Sequence, residues 1–369
     1  MKKLRRQIHK HGIFVASLLL ASAILLPLIS VASRPMSIQE YLLLDLSRNI
    51  ASLTVLRLVL FGLVILNITL VYGLLSAWFA KRRAGLTTFI LTCVPVWLIA
   101  QIATPRFTLV LTPVLIALWA FDRAGRSKTR AALWYGLSGI ATTAAWLQEP
   151  VGVTIAVLLC ALLLIGIKPR YAKHIARQSS LVLIILFITV AALSLASWKF
   201  NLGIQEYLIG QLNVSLRIAN IPMILAEGPT TYHMGVNGIS LIPLSVAVLA
   251  GLGAWQLFVT RKRARNVYLL ALPLLFGLAS VPFGGLTTVL LLSIAIIGLA
   301  VWTVMGVQYL HVSWKRVFPH NRLANTVGDI MIVAMLTSLA FYSFWYVNKA
   351  WNGNPQTRTD ASIEWKGKL

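Results

Sequence analysis

Apolar runs of about 20 residues recur along the whole chain and are separated by short polar or basic clusters. A run of this length crosses the hydrocarbon core of a bilayer as an α-helix. The fold class predicted is therefore an all-α, polytopic integral membrane protein with about 11 transmembrane helices. The predicted helices are 13–33, 53–79, 86–102, 108–121, 131–148, 151–167, 179–198, 239–259, 267–282, 286–309 and 327–348.

Two connections between these helices, 34–52 and 199–238, are too long to be turns, and both are semi-apolar. Segments of that kind lie along the membrane surface as amphipathic helices. The pattern thus predicts a membrane domain at 1–350 with two surface-helix segments on its outer side. The polar residues 351–369 predict a short outer tail without fixed structure.

The basic residues set the orientation of these helices. The chain has 33 Lys and Arg but only 9 Asp and Glu, which gives a net charge of +24. Of the basic residues, 23 lie in the N-terminal segment and in alternate connections between the helices. The positive-inside rule then predicts a cytoplasmic N-terminus and an outer C-terminus, and we expect the plasma membrane. Those basic segments are 1–12, 80–85, 122–130, 168–178, 260–266 and 310–326.

The same charge indicates membrane lipids as partners, because anionic headgroups attract basic segments beside transmembrane helices. Nucleic acid is not expected, since no basic patch is interleaved with exposed aromatic residues. The two cysteines lie inside apolar runs and the six histidines are scattered, so no zinc-ligand spacing occurs. The charge does not fix the oligomeric state.

From about residue 34 to 170, the order of elements is more specific than any one motif. "SLTVLRLVLFG" places an arginine near the outer start of the second helix, and "AKRRAGLTTFILTCVPVW" leads from a basic turn into a third helix that contains proline. "TPRFTLVLTPVLIALWAFDRAGR" is a short outer turn and a fourth helix, and "ALWYGLSGIATTAAWLQEPVGVTIAVLL" supplies a fifth. This layout resembles the GT-C superfamily of polytopic glycosyltransferases and is related to that of the protein O-mannosyltransferases.

The resemblance implies a cell-envelope enzyme that moves a sugar from a polyprenyl-phosphate donor to an outward-facing acceptor. GT-C enzymes usually carry paired acids in the first outer loop, where this chain has Gln39 and Glu40. Their next outer loop often holds an acid too, whereas "ATPRFT" holds Arg106. No cofactor, and in particular no divalent metal, is therefore expected. The first alternative is a non-catalytic GT-C-like scaffold or accessory subunit. The second alternative is a transporter.

Glu40 is the candidate catalytic base, which would deprotonate the acceptor hydroxyl. The alternative is local, because "SIQE" matches a capping box with Ser37 as the N-cap. The pentapeptide IQEYL, which contains Glu40 at 38–42, recurs at 204–208 and gives Glu206 a similar setting. Glu206 is a candidate cavity carboxylate. The repeat would be explained by an internal duplication, but two convergent helix starts explain it better.

Arg57 and Arg106 are the candidates for binding the donor phosphate, which a guanidinium holds with two parallel hydrogen bonds. The alternative for Arg57 is contact with ordinary lipid headgroups at the outer surface. Glu149, in "WLQEPVG", is a further candidate cavity carboxylate that would accept hydrogen bonds from sugar hydroxyls. Its alternative is a solvated carboxylate at a helix end.

Overall fold

The computed structural model describes residues 2–29, 53–127, 129–149, 152–157, 159–160, 242–261, 264–280 and 285–353. The predicted surface segments at 34–52 and 199–238 lie outside these ranges, as does the predicted helix at 179–198.

Helices make up almost all of the described ranges, and no strand occurs within them. A 3₁₀ turn at Leu26–Leu28 follows the first helix, residues 152–157 are helical, and a π-helical turn at Tyr346–Trp351 follows the last helix. The helices are α1 (Lys2–Leu25), α2 (Leu53–Trp78), α3 (Lys81–Thr92), α4 (Pro95–Ala103), α5 (Pro105–Ala124), α6 (Ala131–Trp146), α7 (Leu244–Val259), α8 (Ala264–Ser280), α9 (Gly285–Val317) and α10 (Arg322–Trp345).

Several of these helices are long and apolar enough to cross a membrane, which confirms the predicted all-α, polytopic membrane fold. Within the described ranges there are five such segments, or six if α3 and α4 count as one bent span. The five are His11–Leu28, Leu53–Trp78, Pro105–Ala124, Leu286–Val317 and Arg322–Trp351.

The prediction of a single third helix at 86–102 was wrong. The chain forms α3 and α4 instead, and the two axes differ by 64°. Pro95 is the first residue of α4, a position where its missing N–H costs nothing, whereas inside a continuous helix it would remove a backbone hydrogen bond. The break therefore follows from Pro95, with Cys93 and Val94 forming the corner.

Two helices extend well beyond their predicted ends. α1 begins at Lys2 rather than at residue 13, and α9 continues to Val317 rather than ending at 309. Hydropathy marks only the apolar part of a helix, whereas Lys, Arg and Gln are good helix formers that prolong it into the polar region. The apolar pattern thus located both helices and underestimated their lengths.

The chain divides into two compact units that alternate along the sequence. The first takes its described residues from Met1–Thr108, Asn220–Thr260 and Ile296–Leu369, and the second from Leu109–Ala219 and Arg261–Ala295. The predicted membrane domain at 1–350 and the tail at 351–369 stay predictions.

In the first unit, two pairs of helices approach closely at glycine. A Cβ on Gly85 of α3 would lie 3.2 Å from the backbone nitrogen of Phe14 in α1. A Cβ on Gly253 of α7 would overlap the carbonyl oxygen of Trp302 in α9, and one on Gly306 would overlap that of Leu249. Small residues at crossings allow membrane helices to pack backbone against backbone.

Candidate functional site

An open cleft lies in the first unit, where the end of α1, the start of α2 and the end of α4 meet. Its empty volume, including the part open to the outside, is about 340 Å³. Seven of the nine lining residues are apolar, and the other two carry a guanidinium and a carboxamide. The lining consists of Leu25, Leu28, Ile29, Arg57, Leu60, Phe61, Val64, Gln101 and Ile102.

The spacing of the α2 residues explains why this helix presents its side chains to the cleft together. Arg57, Leu60, Phe61 and Val64 follow one another at intervals of three or four, which places them on one helical face. Asn67 continues the same stripe one turn further along. A single face of α2 thus carries the cation, the apolar wall and a buried amide.

The cleft and a basic cluster at His11 and Lys81 lie toward opposite ends of α2. His11 Nδ1 is 2.7 Å from the hydroxyl of Tyr72, and His11 Nε2 is 3.4 Å from Lys81 Nζ. Tyr72 follows Arg57 by fifteen positions on α2, a rise of about 22 Å. Because Lys81 lies in the segment 80–85, which is predicted to be cytoplasmic, the same prediction places the cleft at the outer face.

Arg57 is the fifth residue of α2 and is only 3% exposed. An arginine keeps its charge in a protein, so a buried guanidinium requires anionic or polar partners to offset its lost hydration. Charged groups inside membrane helices are accordingly associated with functional sites. The structure therefore places this candidate residue at the wall of a cleft.

Gln101 was not among the predicted site residues. Asn67 Nδ2 donates to Gln101 Oε1 at 2.8 Å, and Gln101 Nε2 donates to the carbonyl oxygen of Trp97 at 3.2 Å. The hydroxyl of Thr108 donates to the Gln101 carbonyl oxygen at 2.7 Å. The available signal was the presence of single amides in two apolar runs, "LVILNITLV" and "PVWLIAQIA".

Arg106 occupies a different environment from Arg57. It is the second residue of α5 and is exposed, and it is not one of the residues that line the cleft. Its predicted cooperation with Arg57 in binding phosphate stays a prediction.

Glu149 lies just after α6 in the second unit and is 1% exposed. One carboxylate oxygen accepts a hydrogen bond of 2.5 Å from the hydroxyl of Thr287 near the start of α9. A Cβ on Gly152 would lie 3.2 Å from Thr287 Cα and 3.3 Å from Glu149 Cγ, so the surroundings are closely packed. Glu149 is therefore buried and hydrogen-bonded, and the alternative of a solvated carboxylate at a helix end was wrong.

The other two candidate carboxylates, Glu40 and Glu206, lie outside the described residues. Within the part of the chain that the structure describes, no three His, Cys, Asp or Glu side chains come together as metal ligands.

No family model and no curated protein matches the chain. Among solved structures, the chain is similar to the Archaeoglobus fulgidus oligosaccharyltransferase in its apo form, with a TM-score of 0.49 and 12% identity. That match covers 95% of this chain and 57% of the other. The same enzyme tethered by a disulfide bond to an acceptor peptide with the NVT sequon gives a TM-score of 0.49 and 13% identity. Here the match covers 98% of this chain and 57% of the other.

The chain thus spans less than two thirds of the length of that oligosaccharyltransferase. A similarity of this size carries no argument about the activity of this chain.

Proposed function

We propose that this protein is a membrane glycosyltransferase that binds a polyprenyl-phosphate-linked sugar in the cleft at Arg57 and transfers the sugar to an outward-facing acceptor. The burial of Arg57 in an otherwise mostly apolar cleft is the observation that carries the proposal. The GT-C-like order of elements between residues 34 and 170 supports the same conclusion.

The composition of the cleft matches an amphiphilic donor. Leu25, Leu60 and Phe61 offer apolar surface to an isoprenoid chain, whose burial is favourable in proportion to the area removed from water. The guanidinium of Arg57 can hold two phosphate oxygens with parallel hydrogen bonds. An uncharged lipid would leave that guanidinium without an anion from the ligand.

The chemistry requires stabilisation of a leaving group. A bond forms between the acceptor oxygen and the anomeric carbon, while the bond from that carbon to the donor phosphate oxygen breaks. Negative charge grows on the departing phosphate, and a fixed cation at that point lowers the barrier. The polyprenyl phosphate leaves with the electron pair of the broken bond. Glu40 remains the candidate for taking the proton of the acceptor hydroxyl.

The decisive measurement is the affinity of purified protein for a long polyprenyl phosphate in one detergent. Arg57→Lys keeps the charge but loses the planar pair of donors, so we expect binding about tenfold weaker. Arg322→Lys is the matched control, because Arg322 is an exposed arginine at the first position of another helix, α10. Thermal unfolding of each variant checks that the fold is retained.

Equal affinity of wild type and Arg57→Lys would exclude Arg57 from the site. Absence of measurable binding to the wild type would contradict the glycosyltransferase proposal as a whole. The departure at Gln39–Glu40 from the usual pair of acids favours a second candidate, a non-catalytic scaffold on the same layout. Donor binding without sugar transfer to any acceptor would support that candidate.

A further inference from the structure

Gln101 lines the same cleft as Arg57, and the proposed function gives it no role. Its side chain is closed to bulk solvent. A hydrogen bond made by a buried side chain is electrostatically stronger than one at the surface. An amide in this position can therefore contribute to ligand binding without adding charge.

The hydrogen bonds around Gln101 fix which of its atoms can serve a ligand. The backbone carbonyl of Trp97 can only accept, so the Gln101 nitrogen has to lie on that side. Gln101 Oε1 then faces Asn67, whose Nδ2 donates to it. The opposite orientation would bring two acceptors together. Nε2 carries two hydrogens, and one of them has no acceptor among the described residues.

The orientation of the Asn67 amide lowers the stability of the fold. Its Oδ1 is buried and has no hydrogen-bond donor in the described part of the chain. An unsatisfied buried acceptor is destabilising, and such groups in folded proteins require an explanation. The explanation is that Asn67 holds Gln101 in one orientation. To do so, Asn67 has to direct its nitrogen towards Gln101 Oε1, which leaves its own oxygen without a donor.

We propose that Gln101 is a specificity-determining donor, whose free Nε2 hydrogen binds a non-bridging phosphate oxygen of the lipid-linked ligand beside Arg57. Asn67 is its positioning residue, since it acts only through Gln101. This inference rests on the proposed function and deepens it. Arg57 supplies charge, and Gln101 supplies a directional neutral donor that recognises an oxygen acceptor.

The test uses the purified full chain in detergent and two probes, a long polyprenyl phosphate and the uncharged polyprenol of the same length. Gln101→Leu keeps the size of the side chain and removes the donor. We expect it to weaken binding of the phosphate about tenfold and to leave binding of the polyprenol unchanged. Gln148→Leu is the matched control, because Gln148 also donates to the carbonyl four residues before it.

A second variant separates ligand binding from folding. Gln101→Leu alone leaves Asn67 without its partner, whereas the double variant with Asn67→Leu removes both polar groups together, which is often nearly neutral for stability. We expect the double variant to unfold near the wild-type temperature and still to bind the phosphate about tenfold more weakly. Wild-type phosphate affinity in either well-folded variant would overturn the role of Gln101.

Loss of polyprenol binding in parallel with loss of phosphate binding would also overturn it, since the effect would then not concern the phosphate. Competition with inorganic phosphate and with phosphatidylglycerol distinguishes the sources of the anion, and displacement by either at equal concentration would contradict a lipid-linked polyprenyl ligand. Failure of the wild type to bind polyprenyl phosphate contradicts the proposed function itself. Binding that depends on Arg57 but not on Gln101 contradicts only this inference.

Discussion

Glu149 and Thr287 are joined by a buried hydrogen bond of 2.5 Å, although 138 positions separate them in the chain. The bond ties the segment after α6 to the first turn of α9. Both side chains are almost completely inaccessible to solvent. Glu149 thus contributes to the packing of the second unit. Its predicted hydrogen bonds to sugar hydroxyls are a separate role.

Thr287→Val removes the hydroxyl while nearly preserving the shape of the side chain. Glu149 then loses a donor in a buried environment, so we expect the free energy of unfolding to fall by about 1–3 kcal/mol. Thr287→Ser is the control, because it retains the hydroxyl and should lose clearly less. Reversible unfolding in mixed detergent measures both, and equal stability of Thr287→Val and wild type would contradict the structural role of this bond.

Gly253→Ala tests the crossing of α7 and α9. The added methyl group would meet the carbonyl oxygen of Trp302, which is backbone and cannot turn away. We expect a loss of about 1–3 kcal/mol or more, because the helices have to separate. Gly251→Ala is the matched control on the same helix, since a Cβ there meets nothing within 4 Å. The same measurement should find this control at least as stable as wild type, because alanine is the better helix former. A loss of equal size in both variants would contradict the role of the crossing.

The candidate base can be tested by Glu40→Gln. If Glu40 takes the acceptor proton, the change should abolish sugar transfer and leave donor binding and thermal stability intact. If Glu40 only completes a capping box, transfer should continue, because glutamine serves equally there. Glu206→Gln is the matched variant in the second copy of IQEYL and should have the milder effect. Complete inactivation by both would instead favour a duplicated site.

The predicted orientation can be tested by labelling with a membrane-impermeant thiol reagent in intact cells. The background carries Cys93→Ala and Cys160→Ala, which remove both native thiols. Single cysteines that replace Arg82, Arg126 or Arg263 should resist labelling, because the positive-inside rule places them in the cytoplasm.

A cysteine that replaces Thr230 should react, and it serves as the positive control. Labelling at Arg82 in sealed cells would place the basic turn outside and the cleft at Arg57 on the cytoplasmic face. That outcome would remove the outward-facing acceptor from the proposal, while binding of a lipid phosphate would be unaffected.

The sequence alone was sufficient to predict that the chain is an all-helical membrane protein and where most of its described helices lie. Hydropathy reports the transfer of each segment from water to lipid, which is a local property that needs no knowledge of neighbours. Arg57 could be chosen for a related reason, since a charge inside an apolar run is costly wherever the run packs.

Only the tertiary structure decided which side chains share a site. Gln101 and Asn67 are isolated amides in separate apolar runs, and their hydrogen bond depends on how α2 packs against α4. The burial of Glu149 depends in the same way on Thr287, which no local pattern connects with it. Contacts between distant segments are set by packing of helix faces, and lipid-facing and protein-facing positions of a membrane helix are equally apolar in sequence. The hydrophobic pattern therefore located the helices, whereas the cleft at Arg57 became visible only when α1, α2 and α4 were packed together.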